Sequence, residues 1–173
     1  YVGNFGYDLW GRGESKEAEL VLVEPGGAAR VVAEGLAFPN GAVITPDGRT
    51  LIVGETMAAR LTAFDIEDDG SLSNRREWAP TAGAVPDGIC LDVEGAIWIA
   101  SPRSAEVVRV LEGGEVTERI AVGTQAYACM LGGPEGRDLF ICTSASSSPE
   151  ESPRLLSARI EVVEVDVPRA GWP

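Results

Sequence analysis

The feature that most constrains this chain is a strand, turn and strand unit that returns three times. Residues 40–53 read NGAVITPDGRTLIV, residues 87–99 read DGICLDVEGAIWI, and residues 128–141 read ACMLGGPEGRDLFI. Each is an apolar run, a turn ending in glycine (Gly48, Gly95, Gly136) and a second apolar run. The turn glycines fall 47 and 41 residues apart. Two more strand-like runs follow each of the first two units, RLTAFDIE with NRREWAP and EVVRVLE with VTERIAV, giving four strands per repeat. That matches the roughly 40–45 residues of a propeller blade. A β-sandwich also has short strands, but it gives no reason for one unit to recur at this period.

The expected fold is therefore all-β, a β-propeller of four-stranded blades. Strands are predicted near residues 42–46, 51–55, 61–66, 75–79, 88–93, 96–100, 106–111, 116–121, 127–132, 138–143 and 158–166. YVGNFG, ELVLVEP and ARVVAEG supply the last three strands of a preceding blade, which makes about four blades in one partial domain, 1–173. Starting mid-blade predicts that N-terminal blades are missing. The open arc would then need that missing part, or an oligomeric partner, to cover its edges. The polar stretch at residues 144–153 reads as a loop between two strands of the last blade, serving either as a cover over one channel mouth or as a plain surface excursion.

Composition narrows the chemistry. The 173 residues contain no histidine, which removes Ser-His-Asp and Cys-His catalysis and histidine-ligated zinc from this stretch. A net charge of −13 disfavours nucleic acid and anionic membrane surfaces as partners. Three cysteines, Cys90, Cys129 and Cys142, lie in apolar runs with no CxxC pair, so each is read as a small hydrophobe, and a reducing cytoplasm is the expected compartment.

Two motifs stand where blades begin, Phe38-Pro39-Asn40-Gly41 and Val85-Pro86-Asp87-Gly88, with Asn40 and Asp87 separated by 47 residues. Alone, each is an ordinary turn sequence. In a propeller, the starts of innermost strands converge on the central channel. An amide carbonyl and a carboxylate brought together there are hard oxygen ligands for Ca²⁺, Mg²⁺ or Mn²⁺. The third unit offers Gln125-Ala126-Tyr127-Ala128, an amide and a phenol but no acid. Glu55, Asn4 and Asp8 are read as solvated strand or loop positions, as are the acidic clusters Glu67-Asp68-Asp69 and Glu150-Glu151.

These strings, with Leu72-Ser73-Asn74-Arg75-Arg76, the run from Pro86 through Asp92 to Ala100, and Ala128-Cys129-Met130-Leu131-Gly132-Gly133, resemble the gluconolactonase/regucalcin (senescence marker protein) family over about residues 35–145. The resemblance implies a six-bladed propeller that hydrolyses sugar lactones and holds one divalent cation in its channel. Calcium is the first expectation for that cation, with Zn²⁺, Mg²⁺ or Mn²⁺ as alternatives. It also implies that Asn40 is a metal ligand and that Asp87 is both a metal ligand and the catalytic general base. The family's remaining ligands would lie upstream of Tyr1, so the resemblance is to the C-terminal two-thirds. The expected partner is a small-molecule lactone. The competing readings are a calcium-binding or interaction propeller without catalysis, and a strictosidine-synthase-like propeller.

Overall fold

Alternation of side chains along short strands decides how the sheets stack. The computed structural model describes residues 1–11 and 13–171, so the expected domain 1–173 runs past the described residues by Trp172 and Pro173 and includes Arg12. Among the described residues thirteen strands form four antiparallel sheets. The first pairs β1 (Ala18–Val23) with β2 (Ala29–Leu36), and Val2 bridges to Val21 on the other edge of β1. The second runs β3 (Pro39–Ile44), β4 (Thr50–Glu55), β5 (Arg60–Ile66) and β6 (Leu72–Pro80) in chain order. The third runs β7 (Ile89–Leu91), β8 (Ile97–Ser101), β9 (Glu106–Val110) and β10 (Val116–Ala121) in the same way. The fourth holds β11 (Gln125–Gly132), β12 (Asp138–Ser144) and β13 (Arg159–Glu164). The one α-helix among the described residues, α1 (Ser152–Leu155), is a single turn.

The sheets pack in series, each against the next. On β4, Leu51 and Val53 face the first sheet, in a cluster with Leu20 and Leu36, while Ile52 faces the third. On β8, Ile97 and Ile99 pack toward the second sheet and the fully buried Trp98 and Ala100 toward the fourth. A period of two thus buries both faces of the middle sheets, which explains why their strands read as continuous apolar runs. Two face-packed sheets would give one such core; here there are three in a row.

The strands expected from residue 42 onward are all present, with small shifts at the ends; of the preceding blade, ELVLVEP and ARVVAEG form β1 and β2, but YVGNFG contributes only the single bridge of Val2 to Val21. β7 is cut to half its expected length, three residues, because Asp92 ends it: its carboxylate accepts from the amides of Glu94 and Ala96, both at 3.0 Å, and from Arg109 Nε at 2.7 Å. The chain after β13 crosses back, Val93 N donating to Pro168 O at 2.9 Å and Ala170 N to Leu91 O at 3.1 Å. It thereby closes the end of β7 away from Asp87, where Val43, Cys90, Met130 and Ala170 line a cavity of about 450 Å³. The serine-rich segment between β12 and β13 is knit to itself through Ser144, Ser146, Ser152 and Ser157. No helix among the described residues is long and apolar enough to cross a membrane.

One cysteine departs from expectation. Cys90 and Cys129 are buried with their sulfurs 4.0 Å apart across two sheets, but Cys142 is exposed. It lies on the outward face of the fourth sheet with Met130, Phe140, Ile160 and Val162, all exposed, whereas Leu139 and Ile141 on the other face are fully buried. Burying one such side chain is worth about 1.5–3 kcal/mol, so this face carries a strong drive to be covered. In sedimentation velocity the 173-residue chain alone is expected to self-associate. A single monomeric boundary at micromolar concentration would contradict this.

Candidate functional site

The starts of β3, β7 and β11 lie side by side and are joined directly through their backbones. Gly41 N donates to Asp87 O and Gly88 N to Tyr127 O, both at 2.9 Å. Glycine is required at both places: a Cβ on Gly41 would sit 2.5 Å from Asp87 O, and one on Gly88 would sit 2.7 Å from the Ala128 Cα. The glycines of Pro-Asn-Gly and Pro-Asp-Gly thus let neighbouring inner strands touch, which places Asn40 beside Asp87.

A bulge aims each of these side chains. In the second sheet Pro39 pairs Glu55 and Ala42 pairs Val53, leaving Asn40 and Gly41 in the irregularity between. In the third, Asp87 N donates to Ala100 O while Ala100 N donates to Gly88 O, so two residues oppose one. Phe38, just before β3, takes a left-handed conformation (φ 62°), with Phe5 stacked on its ring at 4.4 Å. Thr56 completes the wall. Its hydroxyl donates to Pro86 O at 2.6 Å and accepts from Asn40 Nδ2 at 3.4 Å. Nothing in the sequence singled out Thr56; its role appears only once the second and third sheets meet.

Asp87 is a partly buried carboxyl whose pKa is raised from 3.8 to about 6. Burial is the main cause, and hydrogen bonds from the Asn40 side chain and the Gly88 backbone pull only partly back. Among the described residues no lysine or arginine charge contributes to the shift. A desolvated carboxylate without a cationic partner among the described residues, next to the Asn40 side-chain amide, suits a hard cation, which would supply the missing charge. Among the described residues no group of three or more His, Cys, Asp or Glu could hold a metal.

Glu55 corrects an expectation. The sequence reading made it a solvated strand end, yet it is fully buried. Its carboxylate accepts from Ala37 N at 2.7 Å, Arg60 Nε at 3.0 Å, a terminal guanidinium nitrogen of Arg75 at 3.2 Å, and the Thr62 hydroxyl. Burial pushes this carboxyl up, but bonds from Arg60, Ala37 and Thr62 outweigh it and hold the pKa below the ordinary value. Arg75 also donates to Glu34 O and Gly35 O, so the network clamps the first sheet to the second. Asn4 and Asp8 are exposed and cap local turns, Asn4 at Gly6 and Asp8 at Trp10 and Gly11.

The description "SMP-30/Gluconolactonase/LRE-like region" fits residues 1–145. The chain belongs to the SMP-30/gluconolactonase/LRE-like family. Among its relatives, a 6-deoxy-6-sulfogluconolactonase of Pseudomonas putida is 28% identical over 95% of this chain and 59% of its own. A gluconolactonase of Xanthomonas campestris superposes with a TM-score of 0.65 at 29% identity, covering 77% of this chain and 44% of its own. The fold also matches regucalcin of Agrobacterium tumefaciens, a calcium-binding protein, with a TM-score of 0.71 at 19% identity over 88% of this chain and 54% of its own. This family member spans about half the length of the curated relatives it matches.

Two outcomes follow from these carboxylates. Glu55→Ala strands two guanidinium groups, each about one-third exposed, and should cost about 3 kcal/mol in chemical denaturation, at the low end for a broken buried pair. Asp87 behaves oppositely. Its folded pKa of about 6 lies above 3.8, so its contribution in metal-free protein is full below pH 3.8 and is lost as pH rises through 6. Asp87→Asn should flatten that part of the melting-temperature profile; an unchanged profile would rule out the buried carboxyl as its source.

Proposed function

We propose that this chain carries part of the active site of a metal-dependent sugar lactonase. The observation that carries the reading is the pairing of Asn40 and Asp87 on adjacent inner strands, with Asp87 desolvated and without a cationic partner among the described residues. Lactonase names among the relatives support the substrate class. The exposed face of the fourth sheet and the half-length match support a larger ring, six-bladed in this reading, of which the chain forms about four blades as a single partial domain. Missing blades or a second subunit then cover that face, and those blades bring the remaining ligands.

Asn40 and Asp87 would hold a divalent cation, calcium first, through the amide oxygen and the carboxylate. When bound, such a cation polarises an ester carbonyl and lowers the pKa of water. Asp87 performs the proton transfer. Water adds to the lactone carbonyl as the Asp87 carboxylate takes its proton, and the ring C–O bond breaks. Asp87 then returns the proton to the departing ring oxygen, leaving the open hydroxy acid. In the metal-free chain burial raises the Asp87 carboxyl to about 6, so it is ionised at neutral pH and its charge is left open to a proton or a cation. Asn40 adds an oxygen without adding negative charge.

In the full-length protein, chelation should abolish hydrolysis of glucono-δ-lactone and calcium should restore it. Asp87→Asn keeps an oxygen donor and removes the base, so kcat should fall by about 10²–10⁴-fold. Asn40→Ala should be rescued in part by excess calcium. Parental kcat in Asp87→Asn would remove Asp87 from the base's role, and calcium binding without hydrolysis by the parent would favour a calcium-binding propeller.

A further inference from the structure

Tyr127 occupies the backbone position of Asn40 and Asp87 one sheet further on. The bond Gly88 N to Tyr127 O repeats the bond Gly41 N to Asp87 O at the same length, 2.9 Å. The irregularity recurs as well: Ala126 pairs Thr143 and Ala128 pairs Cys142, with Tyr127 left between them, as Asn40 and Gly41 are left between Pro39 and Ala42. The row along the inner strands therefore reads amide, carboxyl, phenol.

The phenol is held in place from its own strand. Tyr127 Oη donates to Gln125 Oε1 at 2.7 Å, and Gln125 Nε2 donates to Ala145 O at 3.0 Å. With its proton committed to Gln125, the phenol oxygen keeps its lone pairs free, so toward any other group it is an acceptor. Gln125 and Ala145 also line a cleft of about 490 Å³ with Pro102, Arg103, Ala105 and Thr124. Tyr127 itself lines a separate cleft of about 380 Å³ with Thr143, Ser144 and Arg159, which has room for a polyhydroxylated ring.

We propose that Tyr127 is a specificity residue whose phenol oxygen accepts a hydrogen bond from a hydroxyl of the sugar lactone. The site therefore favours polyhydroxylated lactones over unsubstituted ones. This rests on the lactonase reading above. A site built to pair a substrate hydroxyl discriminates against the analogue that lacks it, because the protein group is then left unpaired.

The test compares glucono-δ-lactone with δ-valerolactone, the same six-membered ring without hydroxyls, in the full-length protein and its Tyr127→Phe variant. For glucono-δ-lactone, KM should rise about 5–10-fold, the scale of one hydrogen bond, with kcat within about twofold. The δ-valerolactone kcat/KM should move by less than about twofold, so the preference between the two collapses. Calcium affinity by titration calorimetry should match the parent, separating substrate recognition from general damage. Equal losses on both lactones, or no loss on glucono-δ-lactone, would overturn the role of Tyr127 while leaving lactone hydrolysis intact. A parent that hydrolyses neither lactone would overturn the lactonase reading and this inference with it.

Discussion

The site depends on backbone hydrogen bonds that cross from one sheet to the next at glycine. Most contacts between the sheets are apolar side chains meeting face to face, which fix separation loosely because side chains repack. The bonds from Gly41 to Asp87 and from Gly88 to Tyr127 have no such freedom. A single methyl at either glycine would meet backbone atoms within 2.7 Å. The inner strands are thus held at hydrogen-bonding distance where the functional side chains emerge, and the hydrophobic clusters outside them keep that contact in place.

Two carboxyls near this line show how surroundings assign roles. Glu55 and Asp87 both lose water, yet their pKa values move in opposite directions. Glu55 receives two guanidinium groups, a backbone amide and a hydroxyl, so its charge is satisfied and serves structure by tying the first sheet to the second. Asp87 receives an amide side chain and one backbone amide, so its charge remains costly. A costly charge can accept a proton or a cation; a satisfied one can do neither readily.

Much of the architecture was legible because it is written locally. Strand runs such as LIVGE and IWIAS alternate faces at period two, and Gly48, Gly95 and Gly136 mark the turns between first and second strands. Glu55 was misjudged because its partners lie elsewhere in the chain: Ala37 precedes β3, Thr62 sits on β5 and Arg75 on β6. Its strand-end position gave no sign of them. Cys142 sits in the apolar string LFICTS, but it falls on the outward phase of β12, on a face that the described residues do not cover. Thr56 and the equivalence of Tyr127 required knowing which strands become neighbours. The Asn40 and Asp87 spacing was visible from the start, whereas the loss of solvent around Asp87 was not.

The bulge at the head of each inner strand makes the fold a chassis with interchangeable fittings. Backbone contacts alone set the sockets at 40, 87 and 127, so the occupant of one can change without disturbing the frame that carries the others. An amide, a carboxyl and a phenol already stand in three copies of the same seat. A repeating scaffold of this kind can therefore diversify its chemistry one seat at a time, while the glycines beside the seats have no comparable latitude.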